Sequence, residues 1–213
     1  MISSANLEQI VPGVSRETLG KLERFAAELR RWTQRINLVA PSTVERIWDR
    51  HILDSAQLFA LAGPDWTRWV DLGSGGGLPG AVVGILASDA GKPVQLVESN
   101  SKKAAFLTTV LGGLASNVRV HRERIETAHA LTGDSDIVSA RALADLPGLL
   151  RLSEPWLRNG ATGFFPKGRG YGEEIVAARD EWDFSVLEVE SVTDAEGRIL
   201  IVRDVRRRDK SHS

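Results

Sequence analysis

Val70-Asp71-Leu72-Gly73-Ser74-Gly75-Gly76-Gly77-Leu78-Pro79-Gly80 is the stretch that decides the fold, because an apolar strand runs there into a glycine loop and then into a helix. Glycines let a ligand approach the backbone closely. Pro79 suits the start of a helix, since its missing N–H would have no partner there. Ligands of doubly wound sheets bind beyond the carboxyl ends of the strands. We therefore expect a nucleotide-sized niche above this loop.

The loop fits two cofactors. Gly75-x-Gly77-x-x-Gly80 matches the dinucleotide fingerprint, and Glu98 falls near the position of its ribose-binding acid. Alternatively, Asp71 ends the strand directly before Gly73-x-Gly75-x-Gly77, an arrangement typical of enzymes that bind S-adenosylmethionine. That cofactor has no diphosphate, and its methionine end carries an ammonium group that a carboxylate can help to hold. Because only this interpretation gives Asp71 a role, the sequence favours S-adenosylmethionine.

Glu98 ends the next apolar run. A carboxylate there can accept both ribose hydroxyls of an adenosine, which either cofactor contains. It can also cap the helix predicted over Ser101–Leu111, where negative charge is favourable. The residues alone leave both interpretations open.

Short apolar runs alternate with helical stretches from Arg68 onward, which is typical of a parallel sheet built from βαβ units. The last two runs are separated by the turn-forming residues Asp194-Ala195-Glu196-Gly197, which indicate an antiparallel hairpin. We predict an α/β, doubly wound, seven-stranded sheet. Its predicted strands are Trp69–Leu72, Val94–Glu98, Val118–His121, Asp136–Ala140, Thr162–Pro166, Ser185–Val189 and Ile199–Val205.

The first 64 residues have helical periodicity instead. Ser15 can cap a helix whose apolar residues recur at three- and four-residue steps as far as Ile36. A second helix is predicted over Val44–Leu61, because Gly63-Pro64 stops it. We therefore divide the chain into a helical N-terminal extension packing on the core (1–64), a core (65–205) and a basic, disordered tail (206–213).

Composition excludes several classes of protein. The 213 residues suffice for one α/β domain, and they contain no apolar run near the roughly 20 residues that cross a membrane. No secretory signal is recognisable, so we expect a cytoplasmic protein. We also expect a monomer without membrane contact. The chain has no cysteine, which excludes disulfides, thiolate metal sites and a cysteine nucleophile. Because the chain has a net charge of -1, its binding to nucleic acid would depend on a local basic patch.

Several segments, taken in order, carry a resemblance to a known family. They are Asn37-Leu38-Val39, Arg50-His51-Ile52-Leu53-Asp54-Ser55, the loop from Asp71 to Gly80, Ile137-Val138-Ser139-Ala140-Arg141-Ala142 and Pro166-Lys167-Gly168. Together they span most of the chain, which resembles the bacterial RsmG family, formerly glucose-inhibited division protein B. The members are 16S ribosomal RNA guanine-N7 methyltransferases.

The resemblance implies a class I, Rossmann-like fold, S-adenosyl-L-methionine as cofactor, and methylation of a guanine N7 in the decoding region of small-subunit RNA. The partner would be 16S rRNA or a 30S subunit assembly intermediate. It implies a cofactor set of Gly73 and Leu78 in the loop, Ile125-Glu126 beside the adenine, and Arg141. Asp71 and Glu98 complete the predicted cofactor site. Gly76 stands where many relatives have proline, which should loosen the loop.

Guanine N7 has a lone pair and no proton, so its in-line attack on a sulfonium methyl needs no general base. Positioning and exclusion of water would then supply the catalysis. Without cysteine, the thiolate addition of a cytosine-C5 methyltransferase is excluded. A small-molecule methyltransferase and an NAD-dependent oxidoreductase remain the alternatives.

Two basic residues are candidates for positioning the substrate. Arg141 follows the fourth strand and could bridge cofactor and RNA, or form a salt bridge with Asp145 one helical turn on. Lys167 follows the fifth strand, where it suits a phosphate contact or simply a solvated surface. His51 and Asp54 share a helix face, but two ligands make no convincing zinc site, so we expect polar packing and no metal.

Overall fold

The computed structural model describes residues 3–208. These residues form one seven-stranded sheet in the order β3-β2-β1-β4-β5-β7-β6. The first five strands are parallel, and β7 runs antiparallel between β5 and β6. The predicted α/β, doubly wound sheet with a terminal hairpin is confirmed. The strands are β1 Trp69–Leu72, β2 Val94–Val97, β3 Val118–His121, β4 Ile137–Ser139, β5 Thr162–Lys167, β6 Trp182–Glu190 and β7 Arg198–Arg207.

The helices cover both faces of the sheet. The first five belong to one hydrophobic cluster and the last three to the other. They are α1 Ser3–Ile10, α2 Arg16–Thr33, α3 Leu53–Ala62, α4 Gly80–Leu86, α5 Ser101–Leu111, α6 Ile125–Thr132, α7 Leu146–Leu157 and α8 Tyr171–Arg179.

The alternation of side chains along the strands builds these two clusters. Trp69 and Phe164 point into the cluster beneath α1–α5, whereas their neighbours Val70 and Phe165 point into the cluster beneath α6–α8. Strands that are buried on both faces read as continuous apolar runs, which is why the sequence predicted them closely.

The N-terminal extension packs directly on the core. Ser15 caps α2 as predicted, accepting a hydrogen bond from the amide of Thr18 at 3.0 Å. The buried face of α2 contacts α4 and α5. These helices share one hydrophobic cluster with the strands.

The second predicted helix is wrong in its first half. A 3-10 turn spans Pro41–Arg46, a π turn spans Trp48–Ile52, and regular α-helix begins only at Leu53. Apolar periodicity does not distinguish these forms over so few residues. The π turn carries Arg50 and His51.

The tail begins later than predicted. Arg206 and Arg207 belong to β7, where they pair with Asp183 and Trp182 of β6. Arg208 continues this contact through its amide, which donates to the Glu181 carbonyl at 2.9 Å. The prediction of disorder from residue 206 is therefore wrong for these three residues, and 209–213 lie outside the described part.

No helix within residues 3–208 combines the length and apolar character needed to span a membrane.

Candidate active site

The glycine loop lies at the carboxyl end of β1 and turns tightly into α4. Gly73 has a φ of +64°, and a Cβ there would stand 2.8 Å from Leu143. At Gly80 a Cβ would come within 2.3 Å of Leu96 and 2.6 Å of the Asp71 side chain. The loop therefore needs glycine for its backbone turn and for its close approach to the sheet.

Two amides in the first turn of α4 are already bonded within the backbone. The Ala81 amide donates to the Gly77 carbonyl at 2.8 Å, and the Val82 amide donates to the Pro79 carbonyl at 3.0 Å. Gly77 itself donates to the Ser74 carbonyl at 2.7 Å. A dinucleotide site presents free amides at this helix start to a diphosphate. This closed helix start disfavours the NAD interpretation.

Asp71 is fully buried beneath the loop. Its Oδ1 accepts a hydrogen bond from the Ser139 hydroxyl at 2.7 Å, while Oδ2 has no hydrogen-bond partner among the described residues. Burial raises the pKa of Asp71 to about 6, although the nearby hydroxyl groups and the Gly80 backbone oppose this. An unpaired buried carboxylate oxygen is costly unless a ligand satisfies it. The ammonium group of S-adenosylmethionine would supply a suitable partner.

Glu98 follows β2 and is 7% exposed. Its Oε2 accepts from the Gly75 amide at 2.8 Å, and its Oε1 accepts from the Asn100 amide at 2.7 Å. The capping alternative is wrong, because Asn100 caps α5 by accepting from the amides of Lys102 and Lys103. Glu98 is instead a carboxylate fixed against the glycine loop, in a position where the predicted ribose contact is possible.

Ile125 and Glu126 open α6 just after β3, the strand beside β2. Ile125 is half-buried and Glu126 is exposed. Their predicted contact with adenine stays a prediction. Leu78 is buried in the loop, and Gly76 lies so close to the N-terminal extension that a Cβ would stand 3.0 Å from the Leu38 carbonyl oxygen.

Arg141 lies just beyond β4 and reaches the N-terminal extension. Its Nη1 donates to Asp54 Oδ2 at 2.9 Å and to the Arg50 carbonyl at 3.4 Å, and its Nη2 donates to His51 Nδ1 at 2.9 Å. The salt bridge expected with Asp145 is wrong, since Asp145 caps α7 through the Gly148 amide. Ala142 has a φ of +53°, so the helical spacing assumed for that pair does not exist.

The hydrogen bonds of His51 define its tautomer. Because Nδ1 accepts from Arg141, the ring proton must lie on Nε2, which is 2.8 Å from the Thr43 hydroxyl. That hydroxyl donates onward to the Ala40 carbonyl. Burial and the charge of Arg141 lower the pKa of His51 to about 4, so the ring is neutral at physiological pH. His51 and Asp54 therefore pack as polar groups around an arginine.

Lys167 is not a solvated surface residue, and its amino group is already paired within the protein. Its side chain is 8% exposed, and its Nζ lies 2.6 Å from Glu174 and 2.7 Å from the Ala144 carbonyl. Glu174 also accepts from the Leu146 amide. The ion pair holds the segment between β4 and α7 in place.

A cleft of about 730 Å³ is lined by residues 141–145, and one of these, Leu143, lies against Gly73 of the glycine loop. Of the predicted cofactor residues, its lining includes Arg141. One wall is the N-terminal extension, and the other is the loop between β6 and β7, which the sequence did not identify as part of the site. Thr193 of that loop donates to Asp54 at 2.8 Å, and Asp194 pairs with Arg50 at 3.1 Å. These contacts join residues more than a hundred positions apart, so no local pattern predicts them.

Sequence comparison relates this chain to a known family. The family model GidB, rRNA small subunit methyltransferase G, matches residues 18–202. Ribosomal RNA small subunit methyltransferase G of Rhizobium etli is 51% identical over 197 residues, which cover 91% of this chain and 96% of the relative. The protein of the same name from Chelativorans sp. is 48% identical over 202 residues, covering 94% and 96%.

Solved structures share the fold at low identity. The putative methyltransferase yhhF from Escherichia coli matches with a TM-score of 0.51 and 20% identity, covering 72% of this chain and 87% of that one. A mutant of MtNAS in complex with S-adenosylmethionine matches with a TM-score of 0.57 and 18% identity, covering 89% and 76%. The predicted class I fold is confirmed. On the family model and the relatives of about half-identical sequence, the chain belongs to the GidB family, rRNA small subunit methyltransferase G.

Proposed function

We propose that this protein transfers the methyl group of S-adenosylmethionine to N7 of a guanine in 16S rRNA. The observation that carries the proposal is the pairing of two features at one edge of the sheet. A glycine loop covers the unpaired Asp71 oxygen, and Leu143, which lies against Gly73 of that loop, lines an open cleft together with Arg141.

The residues present fit the cofactor. The buried Asp71 oxygen suits an ammonium group, and Glu98 suits the ribose hydroxyls. The remaining contacts would come from the backbone at Gly73 and Leu78, from Ile125 and Glu126 at the adenine, and from Arg141. When bound, the cofactor supplies an electrophilic methyl group on a sulfonium sulfur.

The cleft suits an acceptor atom that has no proton to lose. Neither His51 nitrogen is free to act as a base, because one accepts from Arg141 and the other faces Thr43. The carboxylates of Asp54 and Glu174 are both held in ion pairs. Guanine N7 needs no deprotonation, so the protein has only to hold the base in line and exclude water, which can contribute roughly 7–11 kcal/mol in favourable systems.

The proposed partner is 16S rRNA, alone or within a 30S assembly intermediate, and the proposed form is a cytoplasmic monomer. Cations stand near the predicted cofactor niche and suit RNA phosphates. Lys102 and Lys103 open α5, while Arg122 and Arg124 follow β3. Because the whole chain carries a net charge of -1, RNA binding through this local patch should weaken steeply with salt.

The direct test supplies methyl-labelled S-adenosylmethionine together with small subunits, or naked 16S rRNA, from a strain that lacks the enzyme. Digestion and mass spectrometry then identify the labelled nucleoside. Label in 7-methylguanosine at a single site supports the proposal. If both RNA substrates stay unlabelled although the protein binds S-adenosylhomocysteine, the RNA assignment is wrong, and small-molecule acceptors become the better hypothesis.

A further inference from the structure

The guanidinium group of Arg141 is only partly used by the protein. An arginine carries five N–H donors. Both donors of Nη1 go to Asp54 and the Arg50 carbonyl, and one donor of Nη2 goes to His51. The Nε–H and the second Nη2–H have no hydrogen-bond partner among residues 3–208. In a guanidinium group Nε–H and one Nη2–H share an edge, and Arg141 lines the cleft.

All three acceptors belong to one short segment of the N-terminal extension. The π turn Trp48–Ile52 carries Arg50 and His51, and Asp54 follows in the first turn of α3. Asp54 is itself fixed, because its Oδ1 accepts from Gln57 at 2.9 Å and from Thr193 at 2.8 Å. Its other oxygen therefore faces Arg141 in a single orientation.

We propose that His51, as a neutral hydrogen-bond acceptor, and Asp54 are positioning residues that hold Arg141 so that Nε–H and Nη2–H form a fork for a pair of anionic oxygens in the cleft. The oxygens belong either to the carboxylate of the cofactor or to an RNA phosphate. Both match the spacing of an arginine fork. The choice of these ligands rests on the proposed function, whereas the arrangement of the three side chains does not.

The hydroxyl of Thr43 determines which nitrogen of His51 carries the proton. The Thr43 hydroxyl donates to the Ala40 carbonyl, so its oxygen is left to accept from His51 Nε2–H. That contact leaves Nδ1 unprotonated toward Arg141. A proton added to Nδ1 would face an N–H of Arg141. The positive charges of Arg141 and Arg50 disfavour protonation of His51, whereas the negative charge of Asp54 favours it.

The test compares two variants of His51 in the full chain. His51→Asn keeps an acceptor near the position of Nδ1, and His51→Leu keeps the volume without an acceptor. Loss of a hydrogen bond to a charged group should weaken ligand binding in His51→Leu by about ten-fold or more, while His51→Asn stays within about three-fold of wild type. Calorimetry with S-adenosylhomocysteine and a binding assay with a 16S rRNA fragment tell the two ligand sources apart. Unchanged affinity for both ligands in His51→Leu, or equal losses in the two variants, would overturn the proposal.

A double-mutant cycle shows whether His51 acts through Arg141. His51→Leu should add little to the binding defect of Arg141→Met, because the fork is already gone in that background. Additive defects would mean that His51 acts independently of the arginine, contrary to the proposal.

Imidazole nitrogen shifts give a readout that involves neither cofactor nor RNA. We expect Nδ1 to be unprotonated at neutral pH in wild type, and the pKa of His51 to rise in Arg141→Met. A proton on Nδ1 at neutral pH would overturn the proposal. If wild type labels no rRNA at all, the proposed function fails, but the nitrogen shifts and the S-adenosylhomocysteine affinity still decide the role of His51.

Discussion

The carboxylate of Glu98 accepts a hydrogen bond from the amide of Gly75 at 2.8 Å, and this bond ties the end of β2 to the glycine loop that follows β1. The other carboxylate oxygen takes the Asn100 amide at 2.7 Å. Two backbone donors thus fix the nearly buried Glu98 carboxylate at the predicted cofactor niche. A substitution of Glu98 should therefore also disturb the glycine loop.

Glu98→Gln should therefore weaken binding of S-adenosylhomocysteine by about ten-fold or more, because one of the two backbone donors would then face an amide NH₂. The thermal midpoint should also fall, since a nearly buried hydrogen bond is lost. Calorimetry and thermal melting measure the two effects. Glu188→Gln, an exposed change on β6, is the control and should alter neither. Wild-type affinity in Glu98→Gln would argue against a role in ribose binding.

Gly80→Ala should lower the free energy of unfolding by about 1–3 kcal/mol, because the added Cβ would overlap Leu96 and the Asp71 side chain. Denaturant titration measures this loss. Gly172→Ala in α8 is a matched control, since a Cβ there meets no atom within 4 Å, and it should stabilise by up to about 1 kcal/mol. Equal stability of the two variants would contradict the close packing of α4 on the sheet.

Lys167→Met should cost about 2 kcal/mol of stability, because it leaves Glu174 without its cation in a half-buried setting. Adding Glu174→Gln should recover part of that loss. The slope of RNA affinity against salt should not change, since Lys167 is already paired within the protein. A slope reduced by about one would show instead that Lys167 contacts a phosphate.

Affinity for S-adenosylhomocysteine should fall as the pH drops below 6. Burial raises the pKa of Asp71 from 3.8 to about 6, so below pH 6 the free protein binds a proton that the ligand's ammonium group must displace. The loss should approach ten-fold per pH unit. Calorimetry between pH 7.5 and 5 measures it, and Asp71→Asn should have a lower affinity with no such dependence.

This loss of affinity would not be caused by unfolding at Asp71. Its pKa is higher in the folded state than in the unfolded state, so protonation of this group stabilises the fold as the pH falls from about 6 toward 3.8. A thermal midpoint measured alongside the calorimetry separates the two effects. If affinity stays constant across this range, the Asp71 oxygen does not meet the ammonium group.

The sequence predicted the strands of the sheet well and the side-chain contacts of the site poorly. Buried parallel strands such as Val94–Val97 are visible as apolar runs, and the glycine loop is visible because its backbone needs glycine. The partners of Arg141 lie about ninety positions away, in a π turn that resembles an α-helix in sequence. The expected Arg141–Asp145 pair failed because the backbone at Ala142 is left-handed.

Lys167 is a second residue whose position was predictable from the sequence and whose partners were not. Its place after β5 correctly put it beside the cleft, but only the folded chain brings Glu174 of α8 and the Ala144 carbonyl to its amino group. Position along a strand therefore predicts which edge of the sheet a residue occupies. Position along a strand does not predict whether the charge of that residue is already paired in a salt bridge.

The loop between β6 and β7 also has a consequence for the order in which the molecule forms. Asp194 and Thr193 contact residues made 144 and 139 positions earlier, and Val192 binds Gln57 across 135 positions. During synthesis the extension and the first five strands emerge before this loop does, so the cleft lacks one wall until the chain between β6 and β7 has been made. A nascent chain that has not yet reached residue 192 therefore lacks the contacts that form this side of the cleft.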